Sequence, residues 1–295
     1  MGRLDKTSEK KTTGKAELIK DIMIWTFDSP PANVVQGVTK LFGGITQKPM
    51  LEGDIVVADL ENSRLQFLDK NGSFKNKVSL GFKPGHVEAL TNGELLVTGD
   101  RNKIHVLDKQ RKETRVIQVT GVAAAGQIKN LQSIAVDSLG RIIVAIEYHV
   151  LVLSPSRDVM LKLGDKGQGQ QRLECLLNVT VNSRNQIIVS DLNNNNIKIF
   201  NSDGHYLFTI GSRGSGPGQL HWPCSVITDS EDNIIVAHWN NHRVSMFSRD
   251  GRFLRHVLTK EEHGLYCPWG LAMTIDGHFV VSENCHPQHW VKFFQ

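Results

Sequence analysis

Basic and aromatic residues of this chain recur together in short polar segments. Arg101 and Lys103 lie in DRNK, Tyr148 and His149 in EYHV, and Lys166 and Arg172 in GDKGQGQQR. Arg213 and Trp222 share GSRGSGPGQLHWP, and Trp239 and His242 share WNNHR. Arg and Lys supply phosphate contacts, Tyr and Trp supply stacking surfaces, and neighbouring Asn and His supply hydrogen bonds to base edges, a combination suited to single-stranded RNA or a stem-loop. A protein partner would use the same aromatic side chains as anchors.

Other chemistries find less support. Cys285, His286 and His289, with Cys267 and His263 one repeat earlier, form the one metal-like constellation, but Cys-His-x-x-His lacks a recognised zinc spacing. No metal is expected. The glycine runs at 164–172 and 211–219 contain Gly-x-Gly pairs, yet neither opens a helix that could cradle a phosphate, so both read as linker turns and no cofactor is expected. Cys175, Cys224, Cys267 and Cys285 are dispersed in a chain large enough to fold without covalent staples, and read as reduced thiols.

The elements that must position these residues emerge when the chain is compared with itself. One apolar segment recurs: DIVVAD at 54–59, ELLVTGD at 94–100, RIIVAIE at 141–147, QIIVSD at 186–191, NIIVAH at 233–238 and HFVVSE at 278–283. Six copies at 40- to 47-residue spacing match the blades of a β-propeller with four strands each. Each copy follows a shorter apolar segment and a turn, as in NVTVNSRNQIIV, which read as strands A and B. A polar loop, an alternating strand C such as IKIFNS, a turn such as SDG and a fourth strand such as HYLFTI complete the unit.

The chain's last apolar stretch, HWVKFFQ, is strand C of the sixth copy, so that blade needs an outer strand from elsewhere. AELIKDIMIWTF, at 16–27, has strand-like composition and is expected to close the ring. The expected domains are thus a flexible basic tail at 1–15 and one propeller over 16–295.

With 295 residues, 40% hydrophobic and 22% charged, the chain has the composition of an ordinary globular protein, and no apolar run approaches the roughly 18 residues of a membrane span. Its N-terminus carries Arg3, Lys6, Lys10, Lys11 and Lys15 without the apolar core of a secretory signal, which points to the cytosol. A net charge of +4 permits an anionic partner without demanding one.

The loop residues carry a family resemblance. Asp59, Asn62 and Arg64 recur at the offsets of Asp191, Asn194 and Asn196, and of His238, Asn241 and Arg243. This Asp-x-x-Asn-x-Arg pattern, with Asp-Gly turns and the linker FTIGSRGSGPGQLHWP at 208–223, resembles the NHL repeat and the C-terminal propeller of the tripartite-motif NHL proteins. Copies two and three depart from it in DRNK and EYHV. The resemblance implies a six-bladed propeller that recruits RNA or protein targets, as the targeting domain of a ubiquitin-ligase system. The RING and B-box zinc modules of such ligases cannot be built from four dispersed cysteines.

In a blade whose strands run A to D, the B–C loops and D–A linkers emerge on one face, which collects the ten residues named at the outset. Lys83 and His86 are assigned to a D–A linker there as well. Asp59, Asn62, Asn194, Asn241 and Arg243 recur in blade after blade and are expected to tie each loop to its own backbone. Trp222 and Trp269, each beside a proline, fit packing between blades as well as partner contact. The inner A strands read GITQ, VEAL, SIAV, VTV, SVIT and GLAM, with Glu88 as their single ionisable residue, so an apolar channel without an acid–base pair is expected. These readings lead to an all-β, six-bladed, monomeric propeller that binds RNA, or else protein, and is not an enzyme. A metal-dependent hydrolase or lyase ranks behind both, and neither DNA nor membrane is expected as a partner.

Overall fold

Strand B of each repeat is apolar on both sides because it sits in the middle of its blade, between strands and between neighbouring blades. Ile55–Asp59, Ile142–Ile146, Ile187–Asp191 and Ile234–His238 are buried at every position. Outer strands alternate instead, as in Tyr206–Ile210, where every second residue is exposed.

A computed structural model describes residues 53–120, 131–146, 148–164, 169, 172–285 and 288–294, together with three N-terminal strands, Ala16–Ile19, Ile22–Trp25 and Ala32–Gln36. The tail at 1–15, Lys166, His286 and the expected inner strand of blade one at 44–47 lie outside the described residues. Blades two to five are four-stranded antiparallel sheets in sequence order. Blade two comprises Pro84–Ala89, Leu95–Gly99, Lys103–Leu107 and Glu113–Gln118; blade four comprises Leu176–Val181, Ile187–Asp191, Asn196–Phe200 and Tyr206–Ile210. Blade one contributes Ile55–Asp59, Arg64–Leu68 and Phe74–Ser79. In the sixth sheet, Pro268–Met273, Phe279–Cys285 and Gln288–Phe294 are followed outward by Ala32–Gln36, with Val35 opposite Val291, and then by Ile22–Trp25 and Ala16–Ile19. The fold is the six-bladed, all-β propeller that the repeats require.

The cores lie between blades. Ile55, Val57 and Leu68 of blade one pack with Ala272, Val280 and Val291 of blade six, joining the first and last repeats. Val56, Ala58 and Leu65 on the other face of blade one pack with Val87, Leu95 and Val97 of blade two. The remaining neighbours are joined likewise, so every B strand serves two cores with its alternate side chains.

Strand A enters the sheets of blades two, four, five and six through an irregularity, with register shifts between Pro84 and Val87, Leu176 and Asn178, Pro223 and Ser225, and Pro268 and Gly270. Side-chain hydroxyls on strand B take up backbone donors beside it: Asn178 N–H donates to Ser190 Oγ, Gly270 N–H to Ser282 Oγ and His86 N–H to Thr98 Oγ1.

Candidate functional site

B–C loops and D–A linkers share one face, because the loops of blades two, four, five and six hydrogen-bond the linkers that enter or leave those blades. Leu131 N–H donates to the Arg101 carbonyl, Leu192 N–H to that of Cys175, Trp239 N–H to that of Trp222 and Asn284 N–H to that of Cys267. The repeated polar residues hold this arrangement. Asp59 accepts from Asn62 Nδ2, Arg64 Nε and Gln66 Nε2, at 2.7 Å for the arginine. Asp191 accepts from Asn194 and from the Glu174 and Cys175 amides. Arg243 donates to the Gly216 and Gln219 carbonyls, and Asn241 to that of Gly214. These residues have the structural role expected of them.

The aromatic candidates converge on blades five and six. Trp222, 41% exposed and in the left-handed region at φ 54°, places its ring 5.4 Å from that of Trp239. His221 packs edge-on against Trp222 at 5.9 Å, and Trp239 Nε1 donates to the Asn284 carbonyl. Beside them His242 lies 4.9 Å from Tyr266, which is 44% exposed and carries Lys260 Nζ 4.4 Å from its ring centre. Burial keeps the His242 pKa below its ordinary value, and Lys260 adds to this. The result is a half-open aromatic surface with a cation at its edge.

The cations are less available than their number suggests. Lys103 pairs with Asp100 at 2.6 Å, Lys83 with Glu61 at 3.0 Å, and Arg172 with Glu174. Arg101 and Arg213 are exposed and form no ion pair among the described residues. A pocket of about 330 Å³ brings Tyr148 and Arg172 together with Leu173, Glu174 and Asn193, between blades three and four. His149, half-buried, opens strand C of blade three nearby.

The channel differs from the expectation of an apolar lining. Strand A of blade two begins at Pro84, which moves His86 from the linker into the inner strand, where His86 and Glu88 are both buried. Asn178 Nδ2 donates to His86 Nε2 at 3.3 Å, a contact between blades two apart that can only be made across the channel. Asn178 also donates to Ser133 Oγ at 3.1 Å and accepts from Val226 N–H at 3.0 Å. The inner ring carries this relay onward: Val179 N–H donates to Ser133 Oγ, and Leu271 N–H to Ser225 Oγ. Blades three to six are thus stitched by side chains that strand composition alone did not single out. With Nε2 accepting, the neutral His86 ring carries its proton on Nδ1. Burial lowers its pKa to about 4.

Cys175, half-buried, and Cys224 and Cys267, buried, are thiols, and burial pushes the Cys224 thiol well above its ordinary value. Among the described residues no group of His, Cys, Asp and Glu could hold a metal ion, and no helix is long and apolar enough to cross a membrane.

Comparison with known proteins agrees with this architecture. A family described as a six-bladed beta-propeller, DUF5128, matches residues 173–225. The chain is a β-propeller of that broad type. No curated protein matches the sequence. A protein of unknown function from Bacteroides thetaiotaomicron superposes with a TM-score of 0.69 at 12% identity, covering 99% of this chain and 89% of the other. A catalytically inactive virginiamycin B lyase from Staphylococcus aureus, with Quinupristin, superposes with a TM-score of 0.61 at 13% identity, covering 97% and 99%. A streptogramin B lyase does so at 0.58 and 13%, covering 90% and 98%. Identities this low speak for the fold alone.

These neighbours correct the expectation that the chain is not an enzyme. Enzymes stand among the propellers of this shape, and the argument from an apolar channel fails because His86, Glu88, Ser133 and Asn178 are polar side chains of the inner strands. No activity follows from the likeness.

Proposed function

We propose that the loop face of this propeller binds single-stranded RNA, with bases stacking on the surface formed by Trp222, Trp239, His242 and Tyr266. The observation that carries this reading is the pairing of exposed Trp222 with Trp239 at 5.4 Å, flanked by Lys260 over Tyr266 and by exposed Arg213 in the same linker as Trp222. Stacking on aromatic side chains is tolerant of sequence and contributes about 1–3 kcal/mol per base, while neighbouring cations meet the phosphates. The likeness of the loop motif to the NHL repeat supports the same reading.

A second reading, recruitment of a protein, is favoured by the ion pairs of Lys83, Lys103 and Arg172. Cations already held by carboxylates add less to phosphate binding, whereas the aromatic surface would serve equally as a protein anchor. Retention of randomised single-stranded RNA at roughly 50 and 200 mM salt separates the two. RNA binding predicts retention at low salt, a steep fall with added salt, and weaker binding for Trp222→Ala and Arg213→Ala. Absence of retention at low salt would sink it and leave the protein reading.

A further inference from the structure

Blade five departs from its neighbours at one repeated position. Strand B ends on a carboxylate at Asp191 in blade four, and Glu283 holds the corresponding place in blade six. Asp191 accepts from the Glu174 and Cys175 amides and Glu283 from the Tyr266 amide, so a carboxylate holds the linker leading into each of these blades. In blade five the position is His238, fully buried, and it reaches linker 211–222 through an intermediary, beside the direct bonds of Arg243 to the Gly216 and Gln219 carbonyls. Asn241 Nδ2 donates to the Gly214 carbonyl at 2.9 Å and to His238 Nδ1 at 3.0 Å. Turning the amide over would set its oxygen against that carbonyl, so Gly214 fixes the amide and the amide requires an unprotonated Nδ1 on His238. His238 Nε2 then carries the proton and donates to Ser245 Oγ at 2.7 Å. The Ser245 hydroxyl in turn donates to Nδ1 of half-buried His256 at 2.9 Å. The chain crosses the blade from strand B through strand C to strand D, and each member sets the proton position of the next.

Acid reverses it. A proton on His256 Nδ1 turns the last acceptor into a donor and leaves the buried Ser245 hydroxyl hydrogen without its acceptor. A proton on His238 Nδ1 faces the Asn241 amide donors and displaces the group that holds Gly214. We propose that Asn241, His238, Ser245 and His256 form an acid-sensitive latch on linker 211–222, releasing Arg213 and Trp222 from their places on blade five as pH falls.

Burial holds both histidines below their ordinary value, Arg243 repels a proton on either, and His221 and His256 add repulsion at His238. Glu261 is the acid that acts on Arg243. The latched form therefore resists protonation, while a released histidine titrates near 6.5, so release gains as pH falls below about 6.5. This latch acts on the linker backbone and holds whichever partner the loop face binds.

Hydrogen exchange of the 211–222 amides at pH 7.5 and 5.0, corrected for intrinsic exchange, tests the latch. One histidine titrating at its ordinary value in the released form raises the open-to-latched ratio about thirtyfold at pH 5.0. Protection should fall by that factor over 211–222 and stay level over 172–175, where Asp191 accepts from the Glu174 and Cys175 amides. His238→Asp supplies the residue found in blades one and four, and should keep protection at pH 5.0 within about threefold of its pH 7.5 value. Retained protection in the wild type, or equal loss in His238→Asp, would overturn the proposal. Should that variant not fold, His238→Asn, which keeps an acceptor for the Asn241 amide and cannot titrate, carries the same expectation, and a wild-type loss in it is equally fatal.

Discussion

Replacing His86 with glutamine should remove a defined part of the protein's sensitivity to acid. The imidazole is 4% exposed, and burial lowers its pKa from 6.5 to about 4. Above pH 6.5 the ring is neutral in the folded and unfolded chain alike, and its titration adds nothing to stability. Below 6.5 the unfolded chain accepts a proton that the folded channel refuses until about pH 4, and each pH unit in that window destabilises the fold by up to about 1.4 kcal/mol. At pH 5.0 the loss assigned to His86 is about 2 kcal/mol. Glutamine offers Asn178 Nδ2 an oxygen in place of Nε2 and does not titrate. Chemical denaturation of both proteins at pH 7.5 and 5.0 gives the difference between the two pH-dependent losses, from which the contributions of all shared carboxylates and histidines cancel. The variant should lose about 2 kcal/mol less than the wild type between the two pH values. Equal losses would refute burial of His86 as the cause.

The inner-strand network makes a second claim: Asn178→Ala strands His86 Nε2 and the Val226 amide and removes one of two donors to Ser133 Oγ, and should cost roughly 3 kcal/mol in denaturation experiments, against within about 0.5 kcal/mol for Trp222→Ala, whose ring is half-exposed. We propose that the N-terminal strands complete blade six. Deleting 16–27 should then lower the melting temperature, and a deletion through 36, which also removes the strand paired with Gln288–Phe294, should lower it further; an unchanged melting temperature would refute the closure.

Blade number and strand identity were legible because strand B must be apolar on both faces in every repeat, as Ile187–Asp191 and Ile234–His238 are. The aromatic surface was half legible: Trp222 and Trp239 sit in a linker and a loop that strand order places on one face, while their 5.4 Å approach depends on the Trp222–Trp239 backbone bond. His86 was misplaced because strand A of blade two starts with Pro-Gly-His, which has no apolar alternation, and runs through an irregular register before Val87 meets Val97. The pairing of Lys103 with Asp100 is three residues long and could have been read directly. That of Lys83 with Glu61 joins adjacent blades and could not.

One position of the repeat shows how a shared scaffold acquires separate behaviours. Asp59, Gly99, Asp191, His238 and Glu283 pair in the same way with the strands beside them, each facing the first residue of strand C or its counterpart. At Gly99 a Cβ would come within 2.6 Å of the Lys83 carbonyl, so blade two draws its linker into the space where a side chain stands elsewhere. Asp191 and Glu283 fill that space with an acceptor for linker amides, and burial raises the Glu283 pKa while Lys292, 2.9 Å away, opposes the rise. His238 accepts through Asn241 instead, and is the one of the five that titrates near neutrality when released. A position whose common task is to hold a linker thus becomes, by a single change of residue type, the point at which blade five can answer to pH.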